Sequence, residues 1–442
     1  MRILILLAQY HPAANPNVFR WSAIAEHWAG QGHEVHVLCS RRSGLPAGES
    51  IRGVWVHRAG HATLLDWAYN LLGAAKRRGE AEPEQGLREP SRWRRALERA
   101  VSATWRKLYW PDGSCLWYGP ALRKAKQTIQ AQQVEAIISV SFPFTAHLIG
   151  LACKRRFPQI RWLADSEDPF SILEAQPQNN FALYRRLNYR AEAAVFRTAD
   201  SLSATVGSTR QAYEKQFGAL PRMAIVPPLF DELSWERSLE YHWEPEGPYL
   251  NLGYFGTFYT GIREPDVLLE LLEQALLRAP QLSGKIRMHF FGAIGGEFVP
   301  AFARHEGIRS ILRFHGLLPK VEALAAMRRM DVLVNIGNQT AIQLPSKCVD
   351  YLAAGRPILN LSHNAADAFR DFFETYPYIR HIDVTAPGAA DSFHRYLEDL
   401  QPEAATESPE QLQARLQPYT VGPIAGLFLD LLNRPFYAKG ED

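Results

Sequence analysis

The first forty residues already restrict this chain to one class of fold. Met1-Arg2-Ile3-Leu4-Ile5-Leu6-Leu7-Ala8 is an apolar run without polar alternation, the pattern of a strand buried on both faces. Pro12-Ala13-Ala14-Asn15-Pro16-Asn17 follows as a loop. Val18, Trp21, Ala25 and Trp28 then recur at helical spacing up to Gly30-Gln31-Gly32, and Val35-His36-Val37-Leu38-Cys39 is a second strand. A strand, a helix and a strand in so short a span form a βαβ unit, which requires a parallel sheet. No G-x-G-x-x-G follows the first strand, so a dinucleotide-binding Rossmann reading lacks its main support. The opening run is too short for a signal peptide and leads into Gln9-Tyr10-His11-Pro12, and no apolar run approaches a membrane span. A cytoplasmic protein, or one peripheral on the inner face of the plasma membrane, is expected.

The alternation resumes downstream. Ala136–Val140 reads as a strand, Thr145–Arg156 as a helix and Arg161–Ala164 as a strand, followed by the loop Asp165-Ser166-Glu167-Asp168-Pro169-Phe170. Those acids stand just past the carboxyl end of a parallel strand, where open α/β sheets hold ligands, although capping the next helix explains them equally well. An arginine-rich helix over Tyr184–Arg197 and a strand over Ser201–Thr205 follow, and Ile225-Val226-Pro227-Pro228 closes this half. Glu244-Pro245-Glu246-Gly247-Pro248 reads as a linker. The second half restarts with strand Leu250–Phe255 running into Gly256-Thr257-Phe258-Tyr259-Thr260-Gly261-Ile262-Arg263, a glycine loop whose backbone N–H groups and arginine suit a phosphate. Strands at Ile286–Phe291, Ser310–Phe314 and Val332–Ile336 come next. The expected domains span 1–228 and 249–415, and residues 416–442, with an apolar helix near Ala425–Leu432, return to the first.

Within the second half, Leu344–Leu359 reads as loop, short helix and strand. Ser346 suits the N-cap, while Cys348, Val349, Leu352 and Ala353 make an apolar face. Gly355 stops the helix and Pro357 prevents its continuation. Lys347 and Asp350 share the remaining face. They are either an exposed ion pair on an ordinary helix, or a lysine for phosphate with a carboxylate one turn further for sugar hydroxyls.

A net charge of +3 on 442 residues gives no ground for nucleic-acid binding. Cys39, Cys115, Cys153 and Cys348 lack metal-ligand spacing and read as free thiols, and no metal site is expected. One segment differs from the rest. From Leu64 to Trp110, ten basic residues stand against five glutamates, and Trp93, Leu97, Val101, Trp105 and Leu108 form an apolar stripe among arginines. A basic amphipathic insertion near 64–110 fits either an anionic membrane surface or a helix packed on its own domain with a solvated basic face. Glu80–Glu84 reads as a polar link.

Taken together, the chain resembles a retaining GT-B glycosyltransferase of the family 4 (group 1) type, in its bacterial surface-polysaccharide branch. The residues that carry the resemblance run through nearly all of it. They are Tyr10-His11-Pro12, Phe19-Arg20-Trp21, Gly32–Val37, Trp110-Pro111-Asp112, Asp165–Phe170, Gly256-Thr257-Phe258-Tyr259, Pro345-Ser346-Lys347 and Asp350–Gly355. The chain departs from the family at two points. Ile342 stands where the E-x7-E pattern has its first glutamate and Asp350 replaces the second, and Ala13-Ala14-Asn15 replaces the glycine pair of the N-terminal loop.

The resemblance implies an α/β fold of two Rossmann-like domains facing across a cleft. It implies a metal-independent hexosyl transfer from a UDP- or GDP-linked donor to a glycan or lipid-linked acceptor, in polysaccharide or glycolipid assembly. The donor is a substrate, and no separate cofactor is implied. Arg263 and Lys347 would stabilise the departing diphosphate, and Asp165 or Asp168 would orient the donor sugar or the acceptor. Gly256, Thr257, Tyr259, Pro345 and Ser346 would line the nucleotide site, with Asp350 on the ribose. Two rivals remain. A non-catalytic scaffold of this fold draws support from the missing first glutamate, and a sugar-nucleotide epimerase would need acid/base residues that the sequence does not supply.

Overall fold

The computed structural model describes residues 1–13, 15–62, 105–174, 177–245, 247–364, 367–400 and 407–433. Most of the basic amphipathic stretch, and all of the Glu80–Glu84 link, lie outside the described residues; of that stretch, Trp105–Leu108 forms a short helix. The chain divides into two units. One is Met1–Pro227 together with the chain from Ile424 onward, and the other is Pro228–Pro423. The division falls at the Pro227-Pro228 pair. Glu244–Pro248, expected as the linker, is thus inside the second unit, because the helix Glu232–Leu239 packs against the helix Lys320–Met327 of that unit.

The first unit is an eight-stranded sheet in the order β3-β4-β2-β1-β5-β6-β7-β8. Its strands are β1 Arg2–Leu6, β2 Glu34–Cys39, β3 Gly48–Ile51, β4 Val54–Arg58, β5 Ala136–Ser141, β6 Arg161–Ser166, β7 Ser201–Ala204 and β8 Met223–Ile225. All neighbours pair in parallel except the β3–β4 hairpin. The first helix, Pro16–Gly30, begins where Asn15 Oδ1 accepts from Val18 N–H at 3.0 Å, with proline in its first turn. Its apolar stripe is buried, and Trp28 Nε1 donates to the Ala425 carbonyl at 3.3 Å. Ala425 belongs to the helix Val421–Asn433, whose Phe428 ring packs at a tilt against Trp21 with centroids 4.8 Å apart.

The second unit is an all-parallel six-stranded sheet in the order β11-β10-β9-β12-β13-β14. Its strands are β9 Leu250–Phe255, β10 Ile286–Phe291, β11 Leu312–Gly316, β12 Val332–Ile336, β13 Ile358–Ser362 and β14 Ile379–Asp383. The chain runs outward from β9 through β10 to β11, then crosses back to lay β12 on the other side of β9. The order therefore reverses between β9 and β12. Connections leave a crevice at such a point, beyond the carboxyl ends of the strands.

Candidate functional site

The crevice between β9 and β12 collects most of the expected site residues of the second unit. β9 ends at Phe255, and Gly256 turns the chain away with φ +145°. The same turn recurs at Gly292 after β10. A Cβ on Gly292 would lie 2.2 Å from the Gly256 carbonyl oxygen, so only glycine lets the two strand ends lie this close. The loop then closes on itself, with Tyr259 and Arg263 exchanging backbone hydrogen bonds of 2.9 Å in both directions.

That closure aims Arg263 back across the crevice. Its Nε and Nη2 donate to Asn338 Oδ1, at 3.1 and 2.9 Å, from the loop that follows β12. Its Nη1 faces Gly256, where a Cβ would sit 3.4 Å from Nη1 and 3.7 Å from Lys347 Nζ. Lys347 Nζ donates to the Phe255 carbonyl at 2.8 Å and stands 4.5 Å from the centre of the Tyr254 ring. Tyr351 braces the arrangement: its hydroxyl donates to the Val334 carbonyl at 3.0 Å and accepts from the Phe255 N–H at 3.2 Å. Two strands and one helix are thereby tied around a single small space.

The electrostatics of that space are one-sided. Arg263 is 9% exposed, and among the described residues neither it nor Lys347 has a carboxylate within 4.0 Å. Burial, and then the Arg263 charge, push the Lys347 ammonium well below its usual pKa. Two desolvated cations held together without a counter-charge are costly, and an anion seated over Gly256 relieves both terms. Thr257 lies beside this space, and its carbonyl accepts from the Tyr254 hydroxyl at 3.4 Å. Tyr259 stands at the rim, half exposed.

The helix that carries Lys347 differs from its sequence reading in two respects. It spans Cys348–Ala354, with Lys347 at the N-cap and no side-chain cap. Ser346 is exposed and is not the cap, because a turn in which the Pro345 carbonyl accepts from Cys348 N–H at 3.0 Å starts the helix later. Nor do Lys347 and Asp350 form an ion pair. Lys347 reaches the end of β9, whereas Asp350 is half-buried beside Lys320, which itself donates to Asp231 at 2.9 Å. Burial raises the Asp350 carboxyl above its usual range, with Lys320 opposing and Asp231 reinforcing the shift. Cys348, Val349, Leu352 and Ala353 are buried, and Gly355 ends the helix at φ +62°.

In the first unit the acidic cluster is more enclosed than a ligand-facing loop. β6 continues through Asp165 and Ser166, which places Asp165 in the sheet at 1% exposure, accepting from Ser203 on β7 at 2.6 Å. Its contact is with the neighbouring strand. Asp168 is half-buried. Between them Glu167 lies 3.4 Å from Arg20 Nε, and Arg20 also bonds the Val226 carbonyl. One guanidinium faces two carboxyls, so burial wins for the second, and the Glu167 carboxyl is pushed up to about 8. Asp112, quoted for the resemblance, is fully buried and caps the turn at Thr145 through two bonds of 2.8 Å.

Sequence reasoning did not single out Asn338, and it quoted Tyr351 only as part of the Asp350–Gly355 stretch. Asn338 directly follows Gly337 at the end of the β12 run, so a polar residue at the carboxyl end of a buried strand was the available signal. Among the described residues no group of three or more His, Cys, Asp or Glu side chains is placed to hold a metal ion. No described helix is long and apolar enough to cross a membrane.

No protein-family model and no curated protein matches the sequence. Solved structures do match. Sucrose-phosphate synthase from Thermosynechococcus elongatus aligns with a TM-score of 0.63 at 13% identity, over 97% of this chain and 98% of that one. HepE of Anabaena, in complex with UDP, aligns with a TM-score of 0.61 at 14% identity, over 98% and 99%. A trehalose-6-phosphate structure from E. coli, bound with UDP-2-fluoro glucose, aligns with a TM-score of 0.66 at 10% identity, over 98% and 100%. The fold is that of the GT-B glycosyltransferases. At these identities the likeness concerns the backbone, and it extends over nearly the whole chain rather than one sheet.

Proposed function

We propose that this chain is a glycosyltransferase of the retaining family 4 type, moving a hexose from a UDP- or GDP-linked donor to a glycan or lipid-linked acceptor in polysaccharide or glycolipid assembly. The observation that carries the proposal is the pair of cations at Gly256, Arg263 buried and Lys347 half-buried, with no carboxylate partner among the described residues, held in the crevice where β9 and β12 part. A diphosphate is the anion that such a pair suits: two phosphoryl groups, two cations, and a glycine that lets them approach. In transfer, Arg263 and Lys347 stabilise the charge that develops on the leaving diphosphate, which itself takes the proton of the acceptor hydroxyl. Asp350 serves the ribose, Thr257 and Tyr259 flank the phosphates, and Pro345 and Ser346 form the loop that delivers Lys347. Asp168 orients the sugar or acceptor in this reading, with Asp165, bonded to Ser203, fixing the neighbouring strands. UDP is the nucleotide to test first, because HepE holds UDP and the E. coli structure holds UDP-2-fluoro glucose.

The test is a panel of nucleotide sugars with donor hydrolysis and transfer read by mass spectrometry. Turnover in wild type, and at least a tenfold loss in Arg263→Ala and in Lys347→Ala, is the expected result, since each variant removes a charge-assisted bond of about 1.5–3 kcal/mol. Activity that persists in EDTA is expected as well, with the two side chains doing the work of a metal. Near wild-type rates in both variants at saturating donor would remove the assignment, and absence of hydrolysis with any donor would favour the scaffold reading.

A further inference from the structure

We propose that a concavity in the first unit, built from residues other than those at Gly256, is a binding site for a phosphate or diphosphate ester. It has a volume of about 440 Å³, within the range of small-ligand sites. Arg41, Arg58, Arg123 and Lys124 line it, with His61, and among the described residues no acidic one does. It sits beyond the carboxyl ends of β2 and β4, since Arg41 follows the first and Arg58 ends the second. That is the edge at which parallel sheets receive ligands.

The site is built rather than incidental. Gly60 turns the chain after β4 with φ +67°, and a Cβ there would lie 2.9 Å from Pro120 Cβ, so glycine admits the first turn of the helix Tyr118–Ala131. The Gly60 carbonyl accepts from Arg41 N–H at 2.6 Å, which joins the two strand ends into one wall. Arg123 and Lys124 come from the first two turns of that helix, whose first turn carries no acid to offset its positive end.

The four permanent cations differ in role. Arg58 is 3% exposed and committed: it pairs with Glu49 at 2.5 Å and donates to the Pro46 and His11 carbonyls. Among the described residues, Arg41, Arg123 and Lys124 have no carboxylate within 4.0 Å. The Lys124 charge, after burial, helps hold the His57 imidazole down at about 4, so that ring stays neutral behind the site and adds no charge of its own. Three free cations around one concavity match a doubly or triply charged phosphoryl group, with the guanidinium forks supplying paired N–H donors. Taken as the anionic end of the acceptor, the ligand deepens the proposed function and rests on it. Anion binding itself does not.

The probe is inorganic pyrophosphate, titrated calorimetrically into the full chain carrying Arg263→Ala/Lys347→Ala, so that the second-unit cations cannot contribute. Binding is expected there, and adding Arg123→Glu/Lys124→Glu is expected to weaken it at least tenfold, with Arg41→Gln weakening it in the same direction. Arg41 and Arg123 are exposed and Lys124 half-buried, and unchanged melting temperatures check that the variants fold. Co-sedimentation with vesicles containing phosphatidic acid distinguishes the source of the phosphate. Pyrophosphate binding lost in the variants supports a soluble ester; vesicle binding alone, lost in the same variants, supports a lipid-borne one. No binding of either probe, or binding unchanged by Arg123→Glu/Lys124→Glu, overturns the proposal. UDP titrated into Arg123→Glu/Lys124→Glu reports separately on the nucleotide site, so failure of one reading is not mistaken for failure of the other.

Discussion

If Lys347 meets the diphosphate as proposed, nucleotide binding is linked to a proton. In the free protein, burial and the Arg263 charge lower its pKa well below the usual lysine value of about 10.4. The unfolded chain therefore binds more protons than the folded one between those two values. The stability penalty is full below the folded pKa and is relieved as pH rises toward the unfolded one. A diphosphate over Gly256 supplies the missing counter-charge and pushes the pKa back up. Binding must then take up protons wherever the pH lies between the free and the bound value. Across that window the affinity for UDP falls by about tenfold per pH unit, since one unit is about 1.36 kcal/mol. The assay is calorimetric titration of UDP over a pH series up to about 10 in buffers of different ionisation enthalpy, where the slope of observed heat against buffer heat counts protons. Wild type should take up a fraction of a proton, up to one. Lys347→Arg keeps the charge but cannot release it, so it should bind with no Lys347-linked uptake. Lys347→Met loses a charge-assisted bond of about 1.5–3 kcal/mol, hence about 10- to 150-fold in Kd. Equal proton uptake in Lys347→Arg and wild type, or proton release in wild type, would refute the reasoning.

Two further outcomes follow from close contacts and from burial. Gly292→Ala places a Cβ 2.2 Å from the Gly256 carbonyl, so the loop must move; UDP affinity should fall along with the melting temperature, and wild-type values for both would contradict the close approach. The Glu167 carboxyl, raised to about 8, contributes stability below its unfolded pKa of 4.5 that is lost as pH rises through 8. Glu167→Gln should flatten that decline in denaturant titrations between pH 5 and 9, and an unchanged profile would show that Glu167 is ionised beside Arg20.

What was legible in the sequence follows from how each feature is encoded. Ile286–Phe291 and Val332–Ile336 read off to the residue because apolar residues dominate each run, although Arg287, His289 and Asn335 interrupt them. The stop at Gly355 was legible because a left-handed turn before Pro357 has few chemical alternatives. The start of the same helix was not, since a turn closed by the Pro345 carbonyl delays it past Ser346 and leaves no local trace. Asp165 was placed in a loop because the strand carries on into polar residues, and only the register with Ser203 on β7 shows why it does. Asn338 escaped notice for a deeper reason. Its bond to Arg263 spans 75 positions and exists because β12 returns to lie beside β9, a fact of strand order that no local pattern contains. The cations of the first-unit concavity are scattered from Arg41 to Lys124, and only the approach of Gly60 to Pro120 gathers them.

The helix Val421–Asn433 sets an order of events during synthesis. Trp21 and Trp28 are made some four hundred positions before the Phe428 ring and the Ala425 carbonyl that they pack against and bond. Ser201 and Arg161, near the middle, likewise wait for the carbonyls of Leu431 and Leu432. A ribosome therefore exposes the whole second unit before the first can close. Until the chain from Ile424 onward is made, Trp21 lacks the Phe428 ring and Trp28 Nε1 lacks the Ala425 carbonyl.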